Sequence, residues 1–402
     1  MPRLTKLSVV MALVLWGMLL GVGCGGDSDT TSSQDNSVSV ELPSKGMSSS
    51  DAGAVESAAA KPVQALTEQG SAVYFGVWDP KKGSFEKAYG KAAKDGPAAT
   101  TDDFFQIGSI TKTFTATVVL QLIGEGKLAL GETVAEADPA LAKEFKPLAD
   151  LTIEEPLSMH SGIPDFLNVP NGIVKDVAEE PQKVWKAEEL IAGALKGKVE
   201  KPGSGGYSTT NYIGLQLIVE EATGEGLEEL IASRLAEPLG IANTVLPAPD
   251  DTALPSPGTN GYINEFGVLE FEEDGAEVKA GMDVTDWSLS SAQGGGAMHT
   301  TLHELGVWGA SMFGNDLLEK EQGAKRLKTT AIPGAGQYGL GIQRFGDWYG
   351  HDGETYGWEA LVLHDPKSGV TAVMATNSAS GATLAFAALV SALYPRSPVK
   401  LG

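Results

Sequence analysis

Cysteine is almost missing from this chain of 402 residues: there is one, Cys24. No disulfide can form within the chain, so its fold must rest on a hydrophobic core. Basic residues are also scarce, with 29 lysines and arginines against 52 aspartates and glutamates, a formal charge of −23. That charge repels nucleic acid and anionic lipid surfaces at long range, and nucleic-acid partners are excluded. Of the five histidines, His299 and His303 have the spacing of a helical metal pair. Glu304 is misplaced for a His-Glu-x-x-His motif and no third ligand accompanies them, so they read as surface histidines near a helix start. The run Gly294 to Gly296 is not followed by Gly-Lys-Ser/Thr and is no phosphate loop; it reads as a place where backbone approaches the wall of a site. No metal, nucleotide or other cofactor is expected. Internal repeats are absent too.

What is present is enough apolar sequence, 42% of residues, to fill a sizeable core. In "MPRLTKLSVVMALVLWGMLLGVGC", Arg3 and Lys6 precede an apolar run from Leu7 to Leu20, and small residues end at Cys24. Residues 1–24 read as an export signal. Cys24 after "LGVG" resembles a lipoprotein processing site, although Leu20 sits one place too early. The expectation is lipidation at Cys24 and a membrane-anchored place in the cell envelope, with ordinary signal cleavage the alternative. Residues 25–60 are rich in Ser, Asp, Gly and Ala, which predicts a disordered tether. The folded domain is expected over 61–398.

"SAVYFGVWD" and "SFEKAYGKA", joined by "PKKG", predict a β-hairpin, and "GWEALVLHD" and "VTAVMATN", joined by "DPKSG", a second. "QYGLGIQRFG" and "WYGHDG" are further strand segments. Helical windows lie between: Phe114, Val118, Leu120 and Leu122 mark a buried helix stopped by Gly124 and Gly126. Thr301 and Glu304 have the spacing of a capping box. "GATLAFAALVSALYP" closes the chain as an apolar helix. Strands at both ends with helices between predict an α+β fold, one antiparallel sheet built from N- and C-terminal segments with a mostly helical inserted lobe.

Ser-x-x-Lys occurs three times. Ser84 and Lys87 fall in a strand, where residues three apart point to opposite faces; Ser397 and Lys400 follow the last helix. Ser109 and Lys112, in "FFQIGSITKTFTA", fall at a helix start, where residues three apart lie about 5–6 Å apart at Cβ. There Ser109 has a free backbone N–H and the helix dipole favours developing negative charge. Between Ile110 and Phe114, Lys112 is partly desolvated, which lowers its pKa and lets it accept the serine proton. The competing reading is an N-cap serine beside a solvated lysine.

Two further stretches separate these readings. "PGSGGYSTTNYIGLQL" places Tyr207 just before a helix, and "YGHDGETYGWEALV" places His351 and Gly353 on or beside a strand. In this order "GSITK", "YSTTNY" and "GHDG" resemble the serine β-lactamase and penicillin-binding protein family, nearest its class C β-lactamase and D-alanyl-D-alanine carboxypeptidase branch. "GKLALGETV", "LSMHSGIPDF" and "AQGGGAMHTTLHEL" add to the likeness, which runs from about Val63 to Tyr394. The resemblance implies a β-lactamase-like fold and a covalent acyl-enzyme, with Ser109 as nucleophile and Lys112 its partner. Tyr207 would relay the proton, with Lys112 or Tyr207 as base. His351 would stand where β-lactamases have lysine, and Gly353 would clear space for substrate backbone. The backbone N–H groups of Ser109 and Glu354 would form the oxyanion hole.

This sequence departs from that pattern at three places. Thr209 replaces the asparagine of Tyr-x-Asn, with Asn211 nearby; Glu354 replaces a Ser or Thr that helps hold a substrate carboxylate; and Gln343 fills an arginine's place, leaving Arg344 as the expected anion partner. The implied activity is a D-alanyl-D-alanine carboxypeptidase-type peptidase acting on a small molecule or peptidoglycan peptide. Esterase and β-lactamase are the alternatives within the fold, and a non-catalytic envelope binding protein is the alternative outside it.

Overall fold

The computed structural model describes residues 41–169, 173–252, 254–263, 268, 276–312, 317–378 and 381–401. The export signal and Cys24 lie outside the described residues. The chain divides into Met1–Asn36 and Ser37–Gly402, and the sheet, the helices and the candidate site all belong to the second unit.

The centre of that unit is an eight-stranded antiparallel sheet in the order β2-β1-β10-β9-β8-β7-β6-β5. Strands β1 (Val73–Asp79) and β2 (Gly83–Tyr89) form the expected hairpin, with Asp79 opposite Gly83. Strands β9 (Glu359–Asp365) and β10 (Val370–Thr376) form the second, with Asp365 opposite Val370. Strand β1 pairs with β10 and joins the two ends of the sequence. The expected "QYGLGIQRFG" strand is divided into β6 (Gly336–Tyr338) and β7 (Gln343–Phe345), flanked by β5 (Thr330–Ile332) and β8 (Trp348–Glu354). A separate pair, β3 (Phe105–Gln106) with β4 (His299–Thr300), ties the approach to Ser109 to the later part of the chain.

Every residue of β1 and β10 is buried, because both faces of the sheet are covered. Val73, Phe75 and Val77 pack with Phe386 and Leu389 in one core; Tyr74 and Trp78 belong to the other, with Leu305 and Trp308. The period-two alternation of β1 thus feeds two cores.

Helix α1 (Ser49–Thr67) corrects the expected tether over 25–60 from Ser49 onward, while residues 25–40 lie outside the described residues. Ser48 caps it by accepting from Asp51 N–H, and Val55, Ala59, Val63 and Leu66 form a buried stripe at helical spacing against the sheet and the last helix. Its small residues bury enough surface because a partner face exists, which composition does not reveal. A chain starting at Lys61 is therefore expected to melt below one starting at Glu41 in thermal unfolding, since it loses the buried Val55 and Ala59; equal midpoints would refute this packing.

Among the described residues, the remaining helices of seven or more residues are α2 (Thr111–Gly124), α3 (Ala187–Ala194), α4 (Thr210–Thr223), α5 (Leu302–Ser311), α6 (Lys320–Arg326) and α7 (Ala382–Leu393). Every residue of α2 from Thr111 to Leu120 is buried, so it is the central helix of the lobe. Its hydroxyls are satisfied internally: Thr113 Oγ1 donates to Ile110 O, Thr117 Oγ1 to Thr113 O and Thr115 Oγ1 to Gly294 O.

Two local expectations are overturned. Thr301 precedes α5 without a side-chain cap, because the Glu304 carboxylate is taken by Asn243 and Thr244 across the fold. His299 is not on the surface: it lies in β4 at 4% exposure, bonded through its backbone to Val245. His303, on α5, faces outward and meets Glu86 at 3.0 Å.

Candidate active site

The chain enters α2 through a tight 3-10 turn, Gly108–Ile110. Gly108 has φ +50, a conformation costly for other residues, and this bend presents Ser109 at the mouth of the helix. Met298 secures the turn on the other side, its carbonyl accepting from Ile107 N–H and its N–H donating to Thr111 Oγ1.

Lys112, one turn on, has no solvent exposure. Its Nζ lies 2.9 Å from Ser109 Oγ, 2.7 Å from Gly295 O and 3.3 Å from Thr209 Oγ1. Burial pushes its pKa down to about 7, against the opposing pull of the Asp165 and Asp352 carboxylates. When neutral, the amine gives two protons to Gly295 O and Thr209 Oγ1, and its lone pair is left for the Ser109 hydroxyl. The rival reading of a solvated lysine is excluded. In another Ser-x-x-Lys copy, Lys87 instead pairs with Glu56 of α1 at 2.6 Å.

Tyr207 packs its ring 5.0 Å from Lys112 Nζ, and its hydroxyl faces Ser109. Burial, reinforced by Asp352, holds the phenol well above its usual range, so Tyr207 keeps its proton beside Lys112. The glycine run behaves as read from the sequence: its backbone lies against the site and supplies Gly295 O to Lys112.

The end of β8 closes the other side. A Cβ on Gly353 would lie 1.9 Å from Ile107 O and 3.0 Å from Ser109 N. Gly353 therefore makes room for the serine's own turn. In the β8–β9 ladder Thr355 N–H pairs with Trp358 O at 2.9 Å, whereas Asp352 N–H turns away to Gln343 Oε1 at 3.0 Å. By the alternation of antiparallel pairing, Glu354 N–H also turns away from β9. A Cβ on Gly108 would lie 2.5 Å from that nitrogen, so the backbone that carries Glu354 N–H runs directly against the turn that carries Ser109 N–H. The Glu354 side chain is exposed at this edge.

Two expected groups, His351 and Arg344, are held by partners within the protein. His351 is fully buried, with Nδ1 against Asp352 O and Nε2 3.0 Å from Tyr338 Oη. Burial pushes it down to about 4, so it is neutral, donates through Nδ1 and accepts from Tyr338. Both nitrogens are used within the protein, and the ring lies 6.3 Å from that of Tyr207. Arg344 is exposed, its Nε donates to Gly346 O, and its guanidinium lies 5.6 Å from the Tyr349 ring. It is held at the β7–β8 turn. Asn211, the neighbouring asparagine, is occupied by Ser161 and Met159 Sδ.

A family model described as Beta-lactamase matches residues 60–393. The chain belongs to this Beta-lactamase family. Its place is thus among the serine hydrolases of the β-lactamase fold, which include penicillin-binding proteins and D-amino acid amidases. Penicillin-binding protein 4 of Amycolatopsis lactamdurans is 29% identical over 302 residues, covering 70% of this chain and 74% of the relative. A D-stereospecific amidohydrolase from Streptomyces sp. shares the fold at TM-score 0.72 and 23% identity, over 86% of this chain and 99% of that one. The D-amino acid amidase of Ochrobactrum anthropi SV3 complexed with D-phenylalanine does so at 0.73 and 22%, over 85% and 99%.

Within this Beta-lactamase family member, four neighbours of the reactive pair went unassigned by sequence. Asp165, at the end of "SGIPD", lies buried within the field of Lys112. Tyr338 backs His351, Asp352 acts on three site residues, and Arg326 is buried with bonds to Thr113 O and Thr117 Oγ1 of α2. A lone aspartate in a Gly/Pro-containing loop was the one signal for Asp165; nothing in the spacing marks the others.

Proposed function

We propose that this hydrolase acylates Ser109 with an amide or ester substrate whose leaving group carries no carboxylate, and that D-aminoacyl amides and esters are its substrate class. The single observation that carries the acyl-enzyme chemistry is Lys112 Nζ, wholly buried and 2.9 Å from Ser109 Oγ. Neutral Lys112 takes the hydroxyl proton as the Oγ–carbon bond forms, and the carbonyl oxygen gathers charge between the Ser109 and Glu354 N–H groups. The bond to the leaving group then breaks as the Tyr207 phenol gives it a proton, which the Lys112 ammonium replaces. Water hydrolyses the ester through the reverse exchange.

What supports the leaving-group preference is the state of three described groups: Arg344 engages Gly346 O at a surface turn, His351 is neutral, and the exposed Glu354 at the edge is itself acidic. The names of the two amidase neighbours support the D-aminoacyl class. A D-alanyl-D-alanine carboxypeptidase is the second reading, favoured by likeness to a penicillin-binding protein. An envelope place with a lipid on Cys24 belongs to the same proposal.

The test offers a chain starting at Glu41 a p-nitrophenyl ester, D-phenylalanine amide, an acyl-D-Ala-D-Ala peptide and a fluorescent penicillin, beside Ser109→Ala. Ester and amide turnover are expected to vanish in Ser109→Ala. Faster cleavage of the D-Ala-D-Ala peptide than of the amide would establish the second reading, and inertness toward all four probes would establish a binding protein.

A further inference from the structure

The departure at Thr209 and the unassigned Asp165 occupy one place in the structure. Thr209 Oγ1 lies 3.3 Å from Lys112 Nζ, and Thr209 N–H donates to Asp165 Oδ2 at 3.0 Å. The Thr209 hydroxyl faces the same carboxylate. Asp165 is held from the other side by Leu167 N–H, which donates to Oδ1 at 3.1 Å. Asp165 is 6% exposed and Thr209 4%, so solvent screens neither.

From this bridge we infer that Asp165 and Thr209 are positioning residues for Lys112: Thr209 orients the amine, and the Asp165 carboxylate stabilises the ammonium that forms when Lys112 takes the Ser109 proton. The inference rests on the hydrolase reading above. No proton moves onto Asp165 or Thr209. The Ser109 proton passes to Lys112 as the Oγ–carbon bond forms, and leaves when the bond to the leaving group breaks. Burial pushes the Asp165 pKa up, against the opposing pull of the Thr209 and Leu167 N–H groups and of Lys112, and as a carboxylate Asp165 offsets the cost of a transient cation in a buried site. Threonine makes this bridge with one atom: its hydroxyl accepts from Lys112 while presenting its own proton to the carboxylate, where an asparagine would use its amide oxygen for the first and its amide nitrogen for the second.

Other groups act on Lys112 from every side. Asp352 on β8 is a second carboxylate, His351 on the same strand is neutral, and the rings of Tyr207 and Tyr212 lie 5.0 and 5.8 Å from Nζ. Ser109 and Gly295 O complete the surroundings. Of the two carboxylates, Asp165 acts the more strongly on Lys112 and is the one joined to it through a bonded residue.

The test compares the parent chain with Asp165→Asn, Thr209→Val and Thr209→Ser. Two readouts are taken: titration of Lys112 by NMR of ε-13C-labelled lysine, assigned with Lys112→Met, and the pH–rate profile of ester acylation. Asp165→Asn keeps Oδ1 for Leu167 but removes the charge. Its Lys112 midpoint is expected about one pH unit or more below the parent's. Its plateau rate is expected to fall at least about 10-fold. Thr209→Val lowers the plateau, and Thr209→Ser restores it. An unchanged Lys112 midpoint in Asp165→Asn overturns the inference, as does a Thr209→Val plateau equal to the parent's. Should Asp165→Asn fail to fold by circular dichroism, the Thr209 pair decides. Should no ester react, the hydrolase reading falls, while the NMR midpoints still decide whether Asp165 governs Lys112.

Discussion

Replacing Lys112 by arginine is expected to lower kcat/KM for an ester substrate by about a thousandfold or more, the scale of a lost general base. Arginine has the charge of lysine but cannot release a proton in a protein, and its fork does not fit a pocket where Nζ sits 2.7 Å from Gly295 O. Lys112→Met loses the same activity for a different reason, because it removes the base without adding charge. The parent's acylation rate is expected to rise as pH increases through about 7, where the buried amine becomes neutral. Neither variant shows that limb.

Stability moves in the opposite direction in Lys112→Met. The lysine is depressed from 10.5 to about 7 on folding, so the unfolded chain binds the extra proton between those values. The parent therefore gains stability as pH rises through that window and carries the full cost of the buried charge below it. Lys112→Met lacks the cost, and at pH 6 it is expected to melt at a higher temperature than the parent. A lower melting temperature there, or an ester rate in Lys112→Arg within tenfold of the parent, would contradict the role given to this residue.

Gly353→Ala is expected to reduce kcat by about 100-fold, with a smaller effect on KM, because it displaces the nucleophile's turn and leaves the rest of the pocket in place. The new Cβ would stand 1.9 Å from Ile107 O, backbone on backbone, so no side-chain rotation relieves it. Either β8 or the turn of Gly108 and Ser109 must move, and both carry an N–H of the oxyanion hole. Single-turnover acylation of Ser109 measures the loss directly. Thermal unfolding should show a fall as well, since the clash lies in a buried contact. A variant with parental kcat would mean that the approach of β8 to the serine turn does not set the reaction geometry.

Much of this was legible along the chain because the relevant forces are local. Alternation in "AVYFGVWD" and "VTAVMATN", with turn residues between partner strands, determined the hairpins. The i, i+3 relation of Ser109 and Lys112 needs only a helix start to bring them together, and Gly108 signals the bend that provides it. The order of "GSITK", "YSTTNY" and "GHDG" was enough to indicate the family and the acyl-enzyme.

Residue identity alone did not decide the electrostatics or the places of several side chains. The sequence offered Arg344 as an anion partner and His351 in the place of a lysine, and it did not foretell the outward turn of the one or the depth of the other, which follow from packing between strands. Helix α1 looked like a tether because its Ala and Val stripe matters only where a sheet face and α7 await it. Asp165 looked like a loop residue until the fold set it beside Thr209, far away in sequence, within the field of Lys112. Short-range propensity and spacing, which any reading of the chain can follow, sufficed for the elements, the family and the reactive serine. The burial of Lys112, the depth of His351 and the place of Asp165 beside Thr209 were decided by the fold, because burial and charge separation exist only once distant segments have met.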